Sequence, residues 1–157
     1  IEYLIMPNMP KTKLLFIDDD PIVLNICREF FTKKGFSVIT IDSGLKALAI
    51  LETMAKLPDL IILDVLMPSL NGLEVLKVLK LNPRYKTIPV FMWSNLNEKD
   101  DVKKALSIGA AYYLAKIDSP PSEVLEKIEK VIHPGTTQVV NEIKKIIQDT
   151  KNNTPKI

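Results

Sequence analysis

Three aspartates are the residues of this 157-residue chain whose placement first suggests chemistry. Asp18 and Asp19 directly follow the apolar run 14–17, and Asp64 directly follows the apolar run 60–63. An abrupt change from apolar to acidic residues predicts a buried strand that stops at a polar edge. Carboxylates that lie close together repel one another, so such a group favours a hard cation with oxygen ligands, and Mg²⁺ fits best.

A hydroxyl and an ammonium group follow two later apolar runs in the same way. Ser94 comes after the run 89–93, and Lys116 comes after the run 111–115. A carboxylate beside a bound cation can attack phosphorus and form an acyl phosphate, with Ser and Lys contacting the phosphoryl oxygens. The cation and the ammonium supply the charge stabilisation that this reaction needs. The pattern therefore predicts a phosphoryl-acceptor site.

Five predicted strands must position these residues, and amphipathic stretches with helical spacing separate them. The strands are expected at residues 14–17, 36–41, 59–64, 89–93 and 111–115. Alternating strands and helices predict an α/β fold whose parallel sheet is covered on both faces. In the flavodoxin-like, doubly wound order 2-1-3-4-5, the crevice lies where the strand order reverses, between strands one and three. That order brings Asp18, Asp19 and Asp64 together at one edge.

Composition excludes several other classes of protein. Lys and Arg total 21 against 19 acidic residues, a formal charge of +2 that is too even for a nucleic-acid or lipid surface. The single cysteine, Cys27, excludes an internal disulfide or a cysteine zinc cage. The single histidine, His133, argues against a histidine-rich metal site. No apolar run approaches the ~20 residues that span a bilayer. We expect a reduced, soluble, cytoplasmic protein that binds neither nucleic acid nor membrane.

Taken together, the motifs resemble those of a response-regulator receiver domain of two-component signalling, over about residues 13–132. No single motif is specific, but all of them in this order are. They are Asp18-Asp19-Asp20-Pro21, Asp64 followed by Met67-Pro68 and Asn71-Gly72, Ser94, and Gly109-Ala110 before Lys116.

The resemblance implies a role for each acidic residue. Asp64 is the phosphoacceptor, which a histidine kinase or phosphotransfer protein phosphorylates in a Mg²⁺-dependent reaction, with Mn²⁺ as a possible substitute. Asp19 is a direct metal ligand beside Asp64, and Asp18 is a ligand largely through water. The backbone carbonyl of Leu66 completes the protein's share of the metal shell. The domain is then a signalling phosphoacceptor and not an enzyme.

The same resemblance implies that Ser94 hydrogen-bonds the phosphoryl group and that Lys116 pairs with it. Tyr113 stands where the family has its switch aromatic, which turns inward when Ser94 moves toward the phosphoryl group, although Tyr112 competes for the role. Signalling output would pass through a protein-interaction surface around the fourth helix, the fifth strand and the fifth helix.

Three positions depart from the family pattern. Ile117 follows Lys116, where the family usually has a proline in a cis peptide bond. A cis bond before a non-proline residue costs ~3 kcal/mol, so the sequence favours a trans bond and a different placement of Lys116. Asn95 is larger than the usual Ala or Gly and narrows access for the phosphoryl donor. Trp93 replaces a smaller aliphatic residue.

Two alternatives remain open from the sequence. A haloacid-dehalogenase-like phosphatase also uses a strand-end aspartate, Mg²⁺, Ser or Thr, and Lys, and Asp18 with Asp20 has its Asp-x-Asp spacing. That family needs a further acidic pair after the lysine, where this chain has Asp118 alone, and usually a cap domain. The second alternative is a degenerate receiver that acts only as an interaction module, against which the intact acidic set argues.

The chain is expected to divide into three parts. Residues 1–11 form an extension or a tag remnant, residues 12–133 form the receiver domain, and residues 134–157 form an amphipathic helix with a polar tail. The apolar stripe of this last helix needs a partner, either its own domain or a second copy in a homodimer. The stripe consists of Val139, Val140, Ile143, Ile146 and Ile147.

Overall fold

The computed structural model describes residues 10–152, apart from the side chains of Thr137 and Asn152. Nearly all of the expected N-terminal extension and the end of the polar tail lie outside these residues. The described chain forms two compact units, one that ends at Pro121 and one that begins at Ser122.

The first unit is built on a five-stranded parallel sheet in the order β2-β1-β3-β4-β5. This confirms the predicted α/β fold class and its flavodoxin-like strand order. Each strand boundary lies within one residue of the prediction, because short apolar runs with polar ends leave little choice of register. The strands are β1 Lys13–Ile17, β2 Ser37–Ile41, β3 Leu60–Leu63, β4 Val90–Ser94 and β5 Tyr112–Ala115.

Each of the four helices of this unit has a recognisable sequence signal at one end. Asp20 and Ser43 cap the first two helices, and Asn71 caps the third in a capping box with Glu74. Gly109 ends the fourth helix at a φ of 124°, which favours glycine. The helices are α1 Pro21–Lys33, α2 Gly44–Thr53, α3 Gly72–Leu81 and α4 Lys99–Ile108.

Alternate residues of the strands face opposite sides of the sheet, and each side packs against different helices. Leu15 and Leu63 belong to a core cluster that also contains Leu51 of α2 and Leu76 of α3. On the opposite side, Phe16 contacts Phe31 of α1, with ring centroids 4.9 Å apart. Packing on both sides holds the carboxyl ends of the strands at one fixed edge.

Two helices follow, α5 Pro121–Ile132 and α6 Pro134–Asn152. His133 separates them. In α5, Val124 and Ile128 are fully buried. Among the described residues, no helix is both long enough and apolar enough to cross a membrane.

Candidate functional site

The three predicted carboxylates converge at the carboxyl edge of the sheet. Asp18 follows β1 and Asp64 follows β3, and the backbone N–H of Asp64 donates to the carbonyl of Ile17 at 2.9 Å. This pairing sets the two strand ends side by side. One carboxylate oxygen from each of Asp18, Asp19 and Asp64 lies within 4.8 Å of the others.

Local turns fix two of these carboxylates. The N–H of Asp20 donates to Oδ1 of Asp18 at 2.9 Å, and the N–H of Leu66 donates to Oδ1 of Asp64 at 3.3 Å. Asp18 and Asp64 are buried, whereas Asp19 is exposed. Burial, the largest influence, raises the pKa of Asp18 despite the hydrogen bond from Lys116. Asp20 instead caps α1 by accepting from the N–H of Ile22 at 2.9 Å.

Lys116 places a positive charge next to these carboxylates. Its Nζ lies 2.5 Å from Oδ2 of Asp18 and 3.3 Å from Oδ2 of Asp64. Burial alone would lower the pKa of Lys116, but the hydrogen bonds and attraction from Asp18 and Asp64 outweigh it and raise that pKa. The ammonium is therefore charged at neutral pH. The bond to Ile117 is trans, since the described residues contain no cis peptide, and Lys116 reaches the acidic group all the same.

Ser94 is fully buried at the end of β4, next to the strand that carries Lys116. The backbone N–H of Lys116 donates to the Ser94 carbonyl at 3.0 Å. The Ser94 hydroxyl accepts from the N–H of Leu96 at 3.2 Å. The neighbouring Asn95 is exposed.

The two candidate switch tyrosines are separated by the alternation of β5. Tyr113 packs against the core cluster, and its hydroxyl donates to the backbone carbonyl of Leu96. Burial, followed by the charges of Asp101 and Asp64, raises the pKa of Tyr113. The Tyr112 ring instead packs edge-on against Phe91 on the other side of the sheet, with centroids 5.0 Å apart.

Gly72 brings α3 against the backbone that carries Asp64. A Cβ at Gly72 would lie 1.9 Å from the Asp64 carbonyl oxygen and 2.9 Å from Cα of Val65. The Gly72 N–H donates to the Val65 carbonyl at 2.9 Å. Only glycine permits this approach, which explains the Asn-Gly pair of the motif.

Sequence reasoning missed one contact that bears on the site. The indole N–H of Trp93 donates to the backbone carbonyl of Ser119, at 3.0 Å, in the loop that follows Lys116. The unusual size of Trp93 was a signal, but its partner lies 26 residues away in the chain. No local pattern identifies such a partner.

This chain belongs to the response-regulator receiver family of two-component signalling, because the family model "Response regulator receiver domain" matches residues 14–129. Among curated relatives, response regulator SaeR of Staphylococcus aureus is 34% identical over 115 residues, which are 73% of this chain and 48% of SaeR. The chain thus spans about half the length of the curated relatives it matches. This family assignment replaces the phosphatase alternative.

Solved structures show the same fold. Chemotaxis protein CheY4 of Vibrio cholerae aligns with a TM-score of 0.71 at 26% identity, covering 78% of this chain and 99% of that one. The phosphorylated cyanobacterial phytochrome response regulator RcpA gives 0.69 at 27%, covering 77% and 93%. The Mn²⁺-bound form of response regulator Rcp1 gives 0.67 at 28%, covering 77% and 93%.

Proposed function

We propose that this domain accepts a phosphoryl group on Asp64 from a sensor histidine kinase or a phosphotransfer protein. The observation that carries the proposal is the convergence of three carboxylates with Lys116 at one strand edge, in a chain of the receiver family. The phosphorylated form of its structural relative RcpA supports the same chemistry. The domain then turns over no separate substrate and acts as a cytoplasmic signalling phosphoacceptor rather than an enzyme.

The proposed step is one substitution at phosphorus. A carboxylate oxygen of Asp64 bonds to phosphorus while the bond from phosphorus to an imidazole nitrogen of the donor breaks. That nitrogen takes up a proton and leaves, and Asp64 carries an acyl phosphate. Lys116 supplies positive charge to the phosphoryl oxygens and Ser94 supplies a hydrogen bond. Lys116 already contacts Asp64, so it needs little reorganisation, whereas Ser94 moves toward the phosphoryl group.

A divalent cation fits the donor set of this site. Asp18, Asp19 and Asp64 offer clustered carboxylate oxygens opposed by one ammonium, a set that suits Mg²⁺ or Mn²⁺. We assign Asp19 and Asp64 as direct ligands, Asp18 as a ligand largely through water, and the Leu66 carbonyl as a further ligand. When bound, the cation neutralises charge on the phosphoryl oxygens. The Mn²⁺-bound form of Rcp1 supports a divalent cation in this domain.

Exposed apolar side chains near the acidic residues favour a protein as donor. Ile22 and Ile26 on α1 are 68% and 50% exposed, Leu66 is 54% exposed and Ile117 is 83% exposed. Leu66 lies two residues after Asp64, and Ile117 follows Lys116 directly. Single exposed apolar residues are common, but a group beside a charged site is typical of a contact surface.

The phosphorylation test uses acetyl phosphate with Mg²⁺, followed by intact mass measurement. We expect one added phosphoryl group that is acid-stable and base-labile, and Asp64→Asn should abolish it because an amide is not a comparable nucleophile. Asp59→Asn is the matched control, because Asp59 is exposed just before the same strand and should keep full labelling. Full labelling of Asp64→Asn would overturn the assignment. Continuous release of phosphate from a generic phosphate ester would contradict the proposal that the domain turns over no separate substrate.

We propose Tyr113 as the switch aromatic. Its hydroxyl bonds to the carbonyl of Leu96, two residues beyond Ser94, so a movement of Ser94 toward the phosphoryl group changes this contact. Tyr113→Phe should therefore retain phosphorylation of Asp64. The same variant should lose the chemical-shift change of the Leu96 amide that beryllofluoride with Mg²⁺ causes in the original chain. An unaltered change in the variant would contradict the role.

We further propose that α6 pairs with the same helix of a second copy. Its five apolar stripe residues are 40–64% exposed and follow the three- and four-residue spacing of paired helices. Deleting residues after Pro134 should lower the oligomeric state, measured by light scattering, and leave Asp64 phosphorylation intact. Ile143→Asp should do the same, whereas Gln148→Asp, which adds the same charge off the stripe, should not. An unchanged mass in solution would contradict the dimer.

A further inference from the structure

Trp93 is the single tryptophan of the chain, and it lies beside Ser94 at the end of β4 with 6% of its surface exposed. Its indole N–H donates to the carbonyl of Ser119 at 3.0 Å, and Ser119 is also buried, at 4% exposure. Leaving a buried indole N–H without an acceptor is costly, so this bond ties β4 to the loop after β5.

That loop carries Lys116 into the acidic site. The N–H groups of Asp118 and Ser119 donate to the Ala115 carbonyl at 3.1 and 2.9 Å, which makes a compact turn. Ile117 is too exposed to anchor the turn through its side chain. The contact to Ser119 is therefore a buried attachment of the turn to the neighbouring strand, three residues beyond Lys116.

The Trp93 ring also faces the ammonium group of Lys116. The Lys116 ammonium lies over this ring, 5.8 Å from its centroid, a distance at which a cation is attracted to an indole. Trp93 lines one small depression together with Asp18 and Asp64, the two carboxylates that Lys116 contacts. One side chain thus touches both the turn and the charge that the turn delivers.

We propose that Trp93 is a positioning residue for Lys116, because its indole N–H holds the turn at Ser119 while its ring supports the ammonium. The consequence for phosphoryl transfer rests on the proposed function of Asp64. The consequence for the turn does not, so the two can be tested separately.

The first test measures the attachment without any phosphorylation. In the ¹⁵N-labelled full chain, Trp93 gives one indole N–H signal, which should exchange with solvent far more slowly than a free indole. Trp93→Phe keeps a ring and removes the donor, so the Ser119 amide should exchange about tenfold faster relative to the Leu15 amide in β1. Phe91→Leu, which alters a buried ring on the same side of β4, should leave that ratio unchanged. A freely exchanging indole in the original chain overturns the proposal without any variant.

The second test asks whether Trp93 acts through Lys116. With acetyl phosphate and Mg²⁺, Trp93→Phe should slow labelling of Asp64 about fivefold, the size of one lost hydrogen bond. In a Lys116→Ala background the same change should slow the residual labelling less than twofold. Equal slowing in both backgrounds would mean a general structural effect and would overturn the positioning role. If the original chain is not labelled at all, the proposed function fails while the exchange test still decides the attachment.

Discussion

The strand-edge site buries charged side chains, whereas helix α6 exposes apolar ones. At the site, Asp18 and Asp64 are buried and bonded to Lys116, so the surrounding sheet dictates their positions. Along α6, the described side chains are exposed from Pro134 to Lys151, and helical periodicity alone arranges them. Substitutions at the first region are therefore expected to act on the fold and on the proposed chemistry, whereas those at the second are expected to act on the proposed association.

The largest expected contrast is in stability. Leu63→Ala empties a fully buried position in β3 and should lower the free energy of unfolding by about 2–5 kcal/mol. Ile146→Ala removes a side chain that is 64% exposed, and alanine favours helix, so little change is expected. Urea denaturation followed by circular dichroism, at a concentration where the chain is monomeric, measures both. A large loss for Ile146→Ala would mean that the α6 stripe packs within its own chain.

A smaller contrast separates neighbouring acids at the site itself. Asp19→Asn should weaken Mg²⁺ binding about tenfold or more, because it replaces one of the three clustered carboxylates that we propose hold the cation. Asp20→Asn removes the same charge, but asparagine still caps α1, so affinity should change little. Trp93 fluorescence on titration with Mg²⁺ reports both affinities. Equal weakening would mean that the acidic run acts only as diffuse charge.

The smallest effect concerns an exposed pair, Asp42 with Lys46, whose charged atoms lie 2.8 Å apart. The hydrogen bond from Lys46 lowers the pKa of Asp42, so its contribution to stability is present above the unfolded pKa of 3.8 and is lost as pH falls. Lys46→Met should lower the melting temperature by about 1 °C or less at pH 7. Scanning calorimetry from pH 7 to pH 3 should show the difference shrink as pH falls below 3.8. A difference that grows in acid would contradict this sign.

The sheet and its acidic edge could be predicted because each buried strand appears in the sequence as a short, continuous apolar run. Runs such as residues 14–17 and 60–63 are apolar on both sides of the sheet, and each ends on a carboxylate. Strand β4 begins at Val90 rather than Pro89, since proline lacks the N–H that a strand pairing uses. Such shifts of one residue do not move Asp18 or Asp64 from the edge.

Contacts between distant residues could not be predicted from local patterns. Arg84 donates to the carbonyls of Glu52 and Met54, at 3.0 and 2.6 Å, across 32 and 30 residues. Ile26 of α1 is also apolar but half exposed, because packing covers only one stripe of the helix. Likewise, the sequence left the choice between Tyr112 and Tyr113 open until strand alternation assigned each to a side.

The close approach at Gly72 bears on how freely this sequence can change over generations. Any side chain there would collide with the backbone of Asp64, so a saturation library should return glycine alone among folded variants. Gly135, with nothing within 4 Å of a Cβ, should accept many residues. The space available for a single Cβ atom therefore decides whether a glycine position can change during evolution.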